Sequence, residues 1–564
     1  MIINMNNKTL TWLDYVIVFI TLLISSLIGL YYRYTGGRQK TTQEFFNANR
    51  DMGVVTIAIG LMVSYLSAIS LLGVSSEIYN YGTHYSVIII GYVLATPIIA
   101  YFYLPVFFKL NSTSSFQYLE MRFGNTTKLI TSTIFLLQFL LYCGVVIYAP
   151  ALAIESTTGL SVTMSVVIMA IVCTFYSTIG GIKAVLITDV FQAILMIISV
   201  VIVIVNAAID VGGIYEIFNI AQRGGRIDFN NFSMDPTTRH SWWSVTIGGF
   251  FTYLSIYGVN QVQVQRMLTI RKLKNAQKAV WLSLPITIIL VIGISFSGLA
   301  IYSRYHNCDP VKNGELSSDD QLMPYYIMDN LSKYPGVPGL FIAGIFSAGL
   351  STISAIQNSI AAIILEDYIK PFYKSRNMEL DENRKTIIGK LLAIFTGIIC
   401  LGLSFIASYF VNVLQAALTI FGIAGGPLLG IYTLGIFFES TNQTGAITGL
   451  LVSLIFSSWI GFGQPKPKII KLNADTSNCY SSNLTITNNL NYNNSSNDYD
   501  YFYLYRISYM WYCFIGFFCC LIVGLLISKI KNLTDKSNQH NDNVNPDLFT
   551  PFIAEKIRKR QSKI

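Results

Sequence analysis

Apolar runs long enough to cross a bilayer recur along almost the whole chain, separated by short polar segments. A hydrocarbon core about 30 Å thick needs roughly 20 apolar residues per helix, and about 13 such runs are present. They begin near Trp12, Gly53, His84, Lys128, Leu160, Ala184, Ser241, Val280, Gly339, Leu391, Asn412, Ala446 and Tyr505. The pattern predicts an all-α polytopic membrane protein, and an odd number of crossings puts the two termini on opposite sides. The first run, Trp12 to Tyr32, is too long for a signal-peptide core and has no basic stretch before it. Arg33, Arg38 and Lys40 follow it, so it reads as a retained helix with its N-terminus outside.

With that orientation the inner segments are those around Arg38, Arg122, Lys183, Lys272, Lys374 and Thr441, plus the tail after Ser528. Most of the Lys and Arg residues fall there, as the positive-inside bias requires. Glycosylation sequons at Asn231, Asn330, Asn483 and Asn494 lie in outer segments, as does Asn7 beside the first span. Those at Asn111, Asn125, Asn442 and Asn532 fall inside and read as chance matches. The division expected is 1–52 for the N-terminal tip, first helix and inner loop, and 53–438 for a ten-helix core. Residues 439–528 would form two peripheral helices with a glycosylatable outer loop at 464–504, and 529–564 a cytoplasmic tail. The Asn-, Ser- and Tyr-rich stretch from Asn473 to Tyr503 is expected to be disordered.

Composition narrows the function classes. The chain is 53% hydrophobic and 12% charged, with a mean hydropathy of +0.52, against roughly 25% charge in a soluble domain. The net charge of +9 reads as membrane topology rather than a nucleic-acid surface, because the basic residues fall between apolar runs. The eight cysteines form no CxxC pair and no Cys/His cluster, so neither a structural metal nor a dithiol redox site is indicated. Cys308 and Cys479 both lie outside, which leaves a disulfide between them open. GxSxG, HExxH and P-loop motifs are absent, so neither an enzyme nor an ATP-driven pump is expected. The tail from Lys529 is polar and basic, shows no apolar periodicity and is too short for a catalytic domain. Its last residues, Ser562, Lys563 and Ile564, fit the hydrophobic C-terminal ligands of PDZ domains.

Polar residues inside the apolar runs carry the candidate chemistry. Ser64, Ser67 and Ser70 lie in the second run, where hydroxyls can bond back to the backbone and let a helix open, freeing carbonyls for a cation. In the ninth run Ala348, Ser351 and Thr352 share one face, offering a carbonyl and two hydroxyls to a hard cation. Close packing of small residues explains both sets equally well, the stripe Ser347, Ser351, Ala355 and Ser359 included. Asp189 is a carboxylate inside a span and reads as a charge beside a cation site, or as an acid kept wet near Lys183. The glycines and proline from Gly422 to Pro427 predict a broken or hinged helix, or else a rigid kink.

These stretches resemble the sodium:solute symporter family over essentially the whole chain apart from the tail. The resemblance rests on Gly180 to Gln192 (GGIKAVLITDVFQ), Gly258 to Arg266 (GVNQVQVQR), Leu350 to Ser354 with Glu366 to Pro371, and Phe421 to Gly430 (FGIAGGPLLG). The branch most similar contains multivitamin, monocarboxylate and iodide transporters. The resemblance implies about 13 spans with a core of two inverted five-helix repeats, the LeuT-like fold. It also implies a sodium site at the carbonyls of Val63, Leu66 and Ala348 and the hydroxyls of Ser351 and Thr352, with Asp189 nearby. Where sugar-carrying relatives use a Gln and a Glu, this chain has Ser70 and the apolar stretch Val87 to Ile90, which argues against sugar. Ser67, Ser70, Tyr253, Tyr257, Gln415 and Thr419 are the substrate-facing candidates. No Arg or Lys is embedded in these stretches to pair a carboxylate. The implied function is plasma-membrane symport of a small organic anion with sodium and no other cofactor; an inorganic-anion symporter and a non-transporting sensor are the alternatives.

Overall fold

The computed structural model describes residues 10–35, 39–110, 113–407, 413–467, 469–477, 479, 501–534 and 545–562. Arg38, Asn412, Lys563, Ile564 and the sequons at Asn7, Asn111, Asn483 and Asn494 lie outside them. Among the described residues the chain is helical, and the only strand-like pairing is the isolated bridge Asp51–Ile270. Among the described residues ten helices are long and apolar enough to span a membrane, and counting one bent pair brings eleven. Two further elements bear on the sequence count. The 50 residues Val162–Val211 would reach about 75 Å as one straight helix at 1.5 Å per residue, more than twice a bilayer core. Gly181 breaks it at φ 62°, ψ −168°, and a Cβ there would meet Phe45 and Gln39. The other, Trp242–Gly258, has 17 residues and falls just short of the length of a span.

The elements that position the site are, in chain order, α1 (Trp12–Tyr34), α2 (Val54–Tyr65), α3 (Ser75–Tyr81), α4 (Ile88–Ile98), α5 (Asn125–Thr158), α6 (Val162–Val211), α7 (Trp242–Gly258) and α8 (Gln261–Met267). They continue with α9 (Leu273–Tyr305), α10 (Val337–Ile363), α11 (Glu382–Ala407), α12 (Val413–Phe437), α13 (Gln443–Phe462), α14 (Tyr512–Thr534) and α15 (Pro551–Gln561). The bent pair is α2 and α3, set at 63° to one another. Leu66 leaves helical geometry at φ −87°, ψ 93°, and a wide helical turn over Ser70–Val74 leads into α3. Serine is the local cause. Ser64 Oγ donates to the Gly60 carbonyl at 2.8 Å, and Ser75 Oγ to the Leu71 carbonyl at 2.9 Å, a competition with the backbone ladder that weakens a helix. The freed backbone groups are tolerated because the break is buried in protein.

α10 is buried along nearly its whole length. At its N-terminus the backbone N–H groups of Gly336 and Gly339 donate to Asp14 Oδ1 at 2.9 and 2.8 Å. A buried carboxylate from α1 thus complements the helix dipole and fixes the peripheral helix to the core. A Cβ on Gly344 would lie 2.7 Å from the Leu195 carbonyl, so α10 and α6 pack with almost no side chain between them. Close packing and oxygen donors therefore both occur on α10.

Two of the expectations do not hold in the structure. α12 runs unbroken through Gly422 to Pro427. Its glycines admit α14 instead, since a Cβ on Gly426 would run into the Cys513 carbonyl. Nor is the tail featureless. α15 packs its buried Ala554 and Ile557 inward, Phe549 is fully buried beneath the Arg122 guanidinium, and Arg560 pairs with Glu439 at 3.0 Å. So few buried apolar residues in a basic segment do not register as periodicity.

The end of the bundle bearing Asn231 and Asn330 is the one the charge bias assigns to the outside. There Cys308 and Cys479 form a disulfide, and the start of the loop expected to be disordered is tied down as far as Cys479. Leu472 N donates to the Asn80 carbonyl at 2.9 Å, and Arg226 Nη1 to the Asn473 carbonyl at 2.5 Å. Hydrogen bonds to its backbone groups hold this segment, which a polar composition does not reveal.

Candidate functional site

The helix break faces α10. Ser351 Oγ lies 3.4 Å from the Val63 carbonyl and 3.1 Å from the Ala348 carbonyl, and Thr352 Oγ1 lies 3.3 Å from the latter. These are long for hydroxyl hydrogen bonds, whose usual distance is about 2.7–2.8 Å. Leu66 follows at the break itself, its carbonyl released from helical geometry. All five residues are buried. The cluster offers neutral oxygen donors from two helices and no nitrogen or sulfur, a set that fits a hard monovalent cation.

Asp189 is placed differently from the sequence expectation. It is fully buried, but it binds Arg266 Nη1 at 2.5 Å rather than Ser351 or Thr352. The same nitrogen donates to the Gly60 carbonyl at 2.8 Å, one turn before Val63 on α2. Asp189 Oδ1 and Arg266 Nη2 have no hydrogen-bond partner. An arginine is therefore embedded, contrary to the sequence reading. Its position in α8, a short helix outside the long apolar runs, hid its depth.

A cavity of about 70 Å³ adjoins the cluster, bordered by Leu66, Ser67 and Ser70 from the break and by Thr352 from α10. Tyr85, Tyr92, Phe139 and Tyr142 form much of its wall. No Lys or Arg lines it. Ser67 and Ser70 thus face it as expected; Tyr253, Tyr257, Gln415 and Thr419 do not. Thr252 and Ile256 on α7, and Leu414 and Leu418 on α12, take those places. Each expected pair is one residue off, and one residue turns a side chain by about 100° around a helix. Tyr253 and Tyr257 stack on each other at 4.1 Å, and Tyr257 Oη donates to the Leu61 carbonyl at 3.0 Å.

Gln415 joins a polar cluster at the outer end. Arg239 grips the buried Glu77 of α3 through two bonds, Nε to Oε1 at 2.7 Å and Nη2 to Oε2 at 3.0 Å, and its Nη1 donates to Gln415 Oε1 at 3.2 Å. His240 Nε2 lies 3.1 Å from both Glu77 Oε1 and Tyr509 Oη. Burial works to lower the pKa of Arg239, but the Glu77 carboxylate outweighs it and raises it. Burial lowers that of His240, keeping its ring neutral at pH 7. One arginine thereby ties the outer half of the broken helix to α12. Removing one member of a buried pair costs about 3–5 kcal/mol, so Glu77→Gln is expected to loosen this end. In a Ser70→Cys background, the added change should speed labelling by a membrane-impermeant thiol reagent several-fold; an unchanged rate would rule out a closing role for the pair.

The family model described as the sodium:solute symporter family matches residues 45–453. Over 561 residues the chain is 46% identical to the Drosophila melanogaster protein named "Putative sodium-dependent multivitamin transporter", covering 97% of this chain and 92% of that one. It is 40% identical over 531 residues to human sodium-coupled monocarboxylate transporter 1, covering 91% and 86%. Among solved structures, a substrate-bound, outward-open Na+-coupled sialic acid symporter superposes with a TM-score of 0.75 at 23% identity, covering 92% of this chain and 98% of that one. The closed form of Mhp1, a nucleobase-cation-symport-1 transporter, gives 0.53 at 13% identity, covering 94% and 100%. The fold is the all-α, polytopic, LeuT-like one that the sequence led us to expect.

Proposed function

This chain belongs to the sodium:solute symporter family, and from that premise we propose that it imports a small organic anion, a monocarboxylate or a vitamin such as pantothenate or biotin, across the plasma membrane with sodium. The observation that carries the reading is that Leu66 and Thr352 belong both to the oxygen cluster and to the cavity wall. An anion in that cavity finds no arginine or lysine, so a sodium ion held by Val63, Leu66, Ala348, Ser351 and Thr352 is its counter-charge. Opposite charges about 4 Å apart attract by about 4 kcal/mol at an effective dielectric constant of about 20. Each ligand then raises the affinity of the other by the same factor, which is the coupling. The names of the relatives narrow the anion to the monocarboxylate and vitamin classes. The largely aromatic and aliphatic wall also suits a weakly hydrated inorganic anion such as iodide, the second reading.

Voltage clamp of oocytes expressing the chain tests this with lactate, nicotinate, pantothenate, biotin, iodide and glucose, in sodium and then in choline. An inward current or labelled uptake with an organic acid that disappears in choline is the expected result. A response to iodide alone selects the second reading. Silence throughout, by current and by uptake with surface expression confirmed, favours a sensor.

A further inference from the structure

Beneath the central cavity, at the end the charge bias assigns to the inside, four buried aromatic rings from three elements shut the path. Asn260 borders both the cavity and a gap of about 10 Å³ between Phe116 and Tyr432, room for one water. Tyr432 of α12 stacks on Tyr118 with ring centroids 5.8 Å apart, and Phe107 and Phe116 meet it at 5.7 and 6.3 Å. Phe107 belongs to the helix Leu104–Leu110, which ends the span begun by α4, and Phe116 and Tyr118 to the helix Phe116–Phe123. This plug opens only if those elements part. On its far side the segment from Pro546 to Gln561 holds all three. Asp547 pairs with Lys109 at 3.2 Å, the Phe549 ring lies 5.1 Å from the Arg122 guanidinium, Thr550 N donates to the Ile436 carbonyl at 3.2 Å, and Arg560 pairs with Glu439 at 3.0 Å. Arg122 in turn donates to the Gly435 and Phe438 carbonyls at 3.2 and 2.8 Å, so Phe549 presses on the residue that caps the end of α12.

We propose that the segment from Pro546 to Gln561 is a latch: docked, it keeps the aromatic plug closed, and it slips from at least one of its three anchors each time the inner path opens. Its grip is suited to release. Leu548, Phe549, Ala554 and Ile557 are its buried apolar side chains, and the pairs with Lys109 and Glu439 are partly exposed. A segment held by few buried contacts and by exposed pairs opens locally before the fold around it does. The inference needs only that the chain opens inward during its cycle, as the symport reading requires, and not the identity of the anion.

Ser115→Cys reports on the plug, since Ser115 is 2% exposed and its Oγ lies 3.3 Å from Tyr432 Oη. Its labelling by a membrane-impermeant thiol reagent is timed in inside-out vesicles without sodium, against protein lacking the reporter. Adding Phe549→Ala should speed labelling about tenfold, because the anchor on Arg122 is lost. Arg560→Glu and Glu439→Arg should each speed it about threefold, in keeping with a partly exposed pair, and the two together should return it to the rate of the reporter alone. These reversals decide the matter where Phe549→Ala does not reach the membrane. Rates within about 1.5-fold of the reporter alone in every variant that does reach it, or a double reversal no slower than either single one, would overturn the latch. Labelling needs no substrate, so that failure leaves the organic-anion reading standing, and that reading falls only with the uptake measurements above.

Discussion

Changing Ser351 and Thr352 together to Ala should remove sodium activation while leaving the protein at the cell surface. The two hydroxyls reach the Val63 and Ala348 carbonyls at 3.1–3.4 Å, so the same few ångströms that place them for each other place them for a shared cation. A hydrogen bond or ligand contact to a charged group contributes about 1.5–3 kcal/mol, roughly ten- to a hundredfold in affinity for each hydroxyl. The half-saturating sodium concentration should therefore rise beyond about 100-fold in the double variant, with the anion's apparent affinity falling alongside through the linkage. Folding should survive. Both side chains lie inside the long helix α10, and Ala is the best helix former. Sodium titration of substrate current or uptake decides it, and an unchanged half-saturation in a well-expressed variant would remove these hydroxyls from the site.

What was legible in the sequence was type and density rather than facing. The serines from Ser64 to Ser70 announce a helix that can open, and the structure bends there by 63°. The glycines and proline of α12 announce the same thing, yet that helix continues through them, because a neighbouring helix fills the space they leave. A glycine cannot say from sequence whether it yields to its own backbone or to another. The spacing Ala348, Ser351 and Thr352 fixes one face of one helix, and the structure brings that face to the break. Tyr253, Tyr257, Gln415 and Thr419 show the limit. In a helix buried on all sides no polar stripe marks the cavity face, and an error of one residue is enough to miss it. Thr252, the polar residue that α7 does contribute, carried no separate signal. Arg239 and Glu77 lie far apart in the chain on either side of apolar runs, and only the fold reveals that they meet.

The same limit applies to Asp189, whose partner decides the second large effect. Arg266→Met should abolish surface expression, since it leaves a carboxylate in a fully buried site at a cost of about 3–5 kcal/mol, comparable with the net stability of many proteins. Arg266→Gln with Asp189→Asn removes both charges and should restore expression. Sodium-driven uptake, however, should stay well below wild type. The guanidinium also holds the Gly60 carbonyl at 2.8 Å, and Gly60 lies one turn before Val63 on α2, so the contact that anchors α6 also sets the carbonyls of Val63 and Leu66, where we propose that sodium binds. Little room is left for another arrangement, because a Cβ on Gly60 would lie 3.0 Å from Arg266 Nη1 and 3.1 Å from Leu186 Cδ2. Surface biotinylation read beside uptake separates the two roles. Rescue of expression without rescue of transport assigns the pair to both folding and the site; rescue of both reduces it to a structural tie, and normal expression of Arg266→Met alone removes even that.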